Sequence, residues 1–153
     1  MKNALISIFG VLFFGSIFSC QQKTTDTPKE IESIKKLLQK EASSWRSANF
    51  KEHSDCWYLQ PYSRILVSLA DGHTFDVPPS AMKDSKTTMG NGGKAIQTNF
   101  KFKINENDAW VSHDEVSIAK DGQKTFSYEI RMLEKINNQW KIVGQSIHIY
   151  NPK

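Results

Sequence analysis

Asp114 and Tyr128 are the pair in this chain whose types best suit proton transfer. A carboxylate and a phenol that meet over a pocket can act as base and acid; joined instead by a buried hydrogen bond they are merely satisfied, and this plainer outcome is favoured. His148 is a further candidate base, but about two strand spacings and several residues put it on the order of 11 Å from Asp114, too far for a direct dyad. His113, Glu115, Glu129 and Arg131 form a second group. One His with two Glu is a weak metal-ligand set, and Arg131 supplies a cation where a metal would sit, so ion pairing is expected and no metal. Cys56 has no neighbouring feature that would lower its pKa and reads as a small core residue. Lys94, Lys101 and Lys103 interleave with Phe100 and Phe102, a pattern that could stack single-stranded nucleic acid. In a half-buried strand the same pattern puts Phe inside and Lys outside, so no nucleic acid is expected. Gly90-Asn91-Gly92-Gly93 lacks the Lys-Ser/Thr of a phosphate loop, and no cofactor is expected.

The elements that position these residues follow from periodicity. Thr27-Pro28-Lys29-Glu30 forms a capping box that opens a helix, with Ile31, Ile34, Leu38 and Trp45 on one face, running to near Asn49. Asn49 can cap a second, shorter helix with Glu52 at its third position, stopped by Pro61. Asp71-Gly72 joins two strands as a hairpin, Pro78-Pro79 starts a short helical turn through Met82, and four strands follow: 95–104, 109–118, 126–134 and 140–150. Helices followed by an antiparallel meander imply an α+β fold with the helices on one sheet face. At Asp121-Gly122 a bulged three-residue turn sets His113 opposite Glu129 and is preferred over a two-residue turn. That register gathers Trp110, Val116, Ile118, Phe126, Tyr128, Ile130 and Met132 on one face, and a similar bulge near Asn138 would add Trp140 and Ile142. This is the face expected to meet the helices. The opposite face, with His113, Glu115, Glu129, Arg131, Val143, Ile147 and Ile149, is expected to form a homodimer contact.

At 153 residues, 39% hydrophobic and net charge +4, the chain has the size of one domain and too small a basic excess to suggest nucleic acid. Residues 1–19 read as a signal peptide: Lys2, an apolar run from Ala4 to Phe18 too short to span a bilayer, and Ser19. Ile17-Phe18-Ser19-Cys20 resembles a bacterial lipobox, with Phe18 departing from the usual residue there. The expected organisation is a signal peptide at 1–19, a lipidated tether at 20–27 attached through Cys20, and one domain at 28–153. Gln21 after the cysteine points to an outer-membrane or periplasm-facing lipoprotein of the bacterial cell envelope.

A long helix with a late Trp, a short helix ending at Trp57, and a curled sheet closing on Asn138-Gln139-Trp140-Lys141-Ile142-Val143 resemble the nuclear-transport-factor-2-like superfamily, which includes the SnoaL-like proteins and ketosteroid isomerases. The resemblance spans about Lys29 to Tyr150. It implies a curved antiparallel sheet wrapped around N-terminal helices, a cone with a pocket at its open end, and frequent dimers. The expected ligand pocket is lined by Trp57, Tyr62, Trp110, Asp114, Tyr128, Ser146, His148 and Tyr150, where a small apolar or aromatic ligand would sit. The leading expectation is a lipid-anchored module binding a small ligand or partner segment, with membrane contact through the lipid, rather than an enzyme. The alternatives are an isomerase, dehydratase or cyclase using Asp114 and Tyr128, and a purely structural dimeric accessory protein.

Overall fold

The computed structural model describes residues 28–90 and 92–152. The expected signal peptide, Cys20, the tether and the Thr27 cap lie outside them. Helix α1 (Pro28–Arg46) opens on proline, whose fixed φ and missing N–H suit a first helical position. It buries Ile34 and Leu38 of the expected stripe, with Ile31 and Trp45 packed half-buried against the core, and also buries Glu41, Ala42 and Ser44. A left-handed Ala48 ends the turn, and Asn49 caps α2 (Phe50–Asp55) by accepting from the Glu52 N–H at 3.3 Å. Helix α2 is shorter than Pro61 would have allowed. The chain leaves it at Cys56 because the Cys56 and Tyr58 backbones bond Ile142, with N–O distances of 2.9 Å, so Trp57 docks on the last strand.

Strands β1 (Ile65–Ser68) and β2 (Thr74–Val77) form the expected hairpin, and a 3₁₀ turn (Pro79–Lys83) follows. Strands β3 (Lys94–Ile104), β4 (Asp108–Ile118), β5 (Lys124–Ile136) and β6 (Gln139–Tyr150) form the meander. The six-stranded order is β2-β1-β6-β5-β4-β3, and β1 is parallel to β6, the other pairs antiparallel. Curvature comes from two irregularities. In β3, left-handed Asn99 marks a bulge between Thr98 and Lys101; in β6 a second lies opposite Met132 and Leu133.

The β4–β5 register is the expected bulged one, with His113 opposite Glu129 and Gly122 at φ +86°. Which face the helices cover is the reverse of the expectation. Val111, His113, Glu115, Glu129, Arg131 and Leu133 are buried, whereas Trp110, Tyr128 and Met132 are exposed. The expected bulge near Asn138 is also absent. Asn137 and Asn138 both have positive φ and close a two-residue turn pairing Ile136 with Gln139, and the bulge falls farther along, at Val143. Trp140 and Ile142 therefore join Leu133 on the inner face, against Ile34, Leu38, Trp57 and Ile104.

The physical reason lies on the helices. Glu41, three residues after Leu38, sits in the buried stripe of α1, and His53 is buried on α2. A charge facing inward from a helix needs a countercharge on the sheet, and the face carrying Arg131 supplies one 3.7 Å from Glu41.

Candidate functional site

Alternation along β4 and β5 sends every second side chain inward, and beyond the apolar half of the cone these are His113, Glu115, Ser127, Glu129 and Arg131. Arg131 lies at the centre. Its Nη2 is 2.6 Å from Glu129 Oε2 and 3.7 Å from Glu41 Oε2. Glu41 Oε1 pairs with His53 Nε2 at 3.2 Å, and Ser127 donates to Glu129 Oε1 at 2.9 Å. From the end of α1, Arg46 Nη2 reaches Glu115 Oε1 at 2.8 Å and Ser117 Oγ at 2.7 Å, while Gln97 donates to Glu115 Oε2 at 3.1 Å.

This setting separates the ionisation of groups that would otherwise behave alike. For Glu41, burial favours the neutral acid, but the His53 hydrogen bond and the Arg131, His53 and Arg46 charges outweigh it and hold the pKa below the ordinary range. Glu115 goes the other way: burial first, then the nearby Glu129, raise its pKa against the opposing pull of Arg46 and Gln97. Burial and the Arg131 charge push His113 down toward the neutral imidazole. Arg131 is itself desolvated, yet Glu129, Glu41 and Glu115 keep its pKa raised. Burial, with Glu41 beside it, pushes the Cys56 thiol up to about 12, in keeping with a core cysteine.

Above these groups a cavity of about 280 Å³ opens between α1 and the β1–β2 end of the sheet. Glu41, Arg46, Glu115, Glu129, Arg131 and Gln145 provide its polar wall, and Trp45, Ile65, Val67, Val77, Met82 and Ile147 its apolar one. Arg131 Nε and Nη1 and Gln145 Oε1 are buried there with no hydrogen-bond partner. Ligand-type atoms of His113, Glu115 and Glu129 lie within 4.8 Å of one another, a spacing that could hold a metal ion. The two carboxylates, however, are committed: Arg131 and Ser127 occupy Glu129, Arg46 and Gln97 occupy Glu115. A metal ion would have to displace both guanidiniums.

The residues expected to line the pocket are placed elsewhere. Trp57 is in the core, 1% exposed. Trp110, Asp114, Tyr128 and His148 border a broad open groove on the outer face of the sheet. Asp114 is opposite Tyr128 as expected, but its carboxylate accepts from Asn99 at 2.6 Å, and Tyr128 stacks on Tyr150 with ring centroids 4.4 Å apart. Ser146 and His148 bond each other at 2.8 Å, and exposed Tyr62 donates to Glu134. An acid–base pair built on Asp114 and Tyr128 therefore lacks an enclosed pocket. Val143 is buried and Ile147 lines the inner cavity, so the dimer contact expected through them has no open surface. The ion-paired group read from the sequence as structural is the one that faces a cavity, and Glu41 and His53 on the buried helix stripes were the signal for it.

Neither a scan of protein-family models nor a comparison with curated proteins gives a match. Solved structures do match. A cystatin-like-fold protein of unknown function from Nostoc punctiforme superposes with TM-score 0.62 at 13% identity, over 83% of this chain and 95% of that one. A nuclear-transport-factor-2-like protein of unknown function from Shewanella baltica gives 0.61 at 16% identity, over 81% and 96%. A candidate dehydratase of the nuclear-transport-factor-2-like family from Streptomyces avermitilis gives 0.64 at 12% identity, over 82% and 100%. At such identities the likeness is one of fold. One long helix laid in a curved, unclosed six-stranded sheet, shared over nearly the full length of these structures, makes this chain a protein of the nuclear-transport-factor-2-like fold.

Proposed function

We propose that this protein is a lipid-anchored module that binds a small ligand in the cavity between α1 and the sheet. The observation that carries the reading is the buried polar wall with atoms left unpartnered, Arg131 Nε and Nη1 and Gln145 Oε1, beside an apolar wall. Buried groups of this kind are normally satisfied, and a ligand or water seated in the cavity would satisfy them. The volume corresponds to roughly nine waters, which suits a ligand of about ten heavy atoms. Anchoring rests on the lipobox-like run before Cys20 and would place the domain in the bacterial cell envelope. Among the described residues no helix is long and apolar enough to cross a membrane.

Native mass spectrometry of the purified full-length protein tests the binding reading. A small molecule should copurify, and Val67→Trp, which adds a large ring to the lining of the cavity, should lose it. The same mass retained by Val67→Trp places the ligand elsewhere. Anchoring is tested separately by Cys20→Ser, which should move the protein from the membrane to the soluble fraction; unchanged fractionation refutes it.

A further inference from the structure

We infer that the ligand of this cavity is a small organic cation, an alkyl- or arylammonium with an apolar body. The inference rests on the reading of the cavity as a ligand site and adds the charge class.

Charge balance carries it. The titratable groups facing the cluster among the described residues are Glu41 and Arg46 of α1, His53 of α2, His113 and Glu115 of β4, and Glu129 and Arg131 of β5. Strands β3 and β6 add the uncharged Gln97 and Gln145, and β1, β2 and the 3₁₀ turn add Ile65, Val67, Val77 and Met82. At about pH 8, where imidazole is ordinarily uncharged, three carboxylates stand against two guanidiniums. With both imidazoles uncharged, the buried cluster is one positive charge short. A proton on a carboxylate can fill such a deficit, and the raised pKa of Glu115 marks where it would reside.

An ammonium group fills the same deficit without neutralising an acid. Glu41, Glu115 and Glu129 all line the cavity, and Gln145 Oε1 is a buried acceptor there with a free lone pair. Trp45, Val67, Val77, Met82 and Ile147 can cover an apolar body. An anionic ligand could accept from the free Arg131 nitrogens, but it would add a fourth negative charge to a desolvated cluster. A hydroxyl satisfies both kinds of orphan atom without charge and is therefore the proper control.

Isothermal titration of the full chain at about pH 8 with benzylamine, benzyl alcohol and benzoate separates these classes. The amine should bind at least about tenfold more tightly than the alcohol, with no detectable benzoate binding. Glu115→Gln, which balances the charge, should abolish the preference; if that variant does not fold, the wild-type comparison decides by itself. Alcohol or benzoate binding as tightly as the amine overturns the charge class while leaving the cavity a ligand site. No binding by any of the three overturns the inference together with the reading beneath it.

Discussion

Arg131 holds together charges that come from three elements. It is 3% exposed and sits against Glu129 and Glu41, so Arg131→Met would strip buried Glu129 of its guanidinium and Glu41 of one of its cationic neighbours. Removing one member of a buried pair costs about 3–5 kcal/mol, and urea denaturation should show a loss of that order; Glu129→Gln in the same chain should recover part of it. Glu115 makes a prediction of opposite character. Its pKa is raised in the folded state, so the proton is held more tightly there than in the unfolded chain. Its stabilising contribution is complete below the ordinary carboxylate pKa and is lost as pH rises through the raised value. Wild type should therefore lose stability relative to Glu115→Gln from about pH 4 upward, then level off. Urea midpoints measured across that range check it, and a relative gain with rising pH would show that Arg46 controls Glu115 instead.

At the scale of elements, the turns set which side chains face the cavity. Gly122, at φ +86°, closes the β4–β5 turn, with its N–H bonded to Ala119 O at 3.0 Å. A Cβ there meets nothing within 4 Å, so Gly122→Ala pays only for the left-handed backbone, about 1 kcal/mol. Gly93, at φ +85°, differs: a Cβ would lie 2.0 Å from Ile118 O. Backbone cannot yield as a side-chain tip can, so Gly93→Ala should cost clearly more and loosen the start of β3. Thermal denaturation of the two variants should rank them in that order, and equal losses would mean that β3 begins with more freedom than its pairing with Ile118 suggests.

For the molecule as a whole, the open surface is the outer sheet face. Trp110 (43%), Tyr128 (53%) and Met132 (41%) lie exposed on adjacent strands, an apolar patch of the kind that marks contact surfaces. A homodimer is accordingly expected through this face, not through Val143 and Ile147. Light scattering should find a dimer that Trp110→Lys converts to monomer, with the inner cavity unaffected. A monomeric wild type would refute it.

Much of this architecture was readable along the chain because it is written in local chemistry. The Asn49 cap, the Asp71-Gly72 and Asp121-Gly122 turns, the alternation of β3 to β6 and the pairing of His113 with Glu129 all depend on neighbours within a few residues or on one turn. The choice of face was decided only in three dimensions. Both faces of β4 and β5 mix apolar and polar residues, so counting large apolar side chains favoured the Trp110 face. Burial followed instead from partners distant in sequence: Glu41 meets Arg131, Arg46 meets Glu115, and β1 closes in parallel on β6. A charge can be buried when a countercharge reaches it, and that depends on where α1 lies on the sheet, which no local pattern specifies.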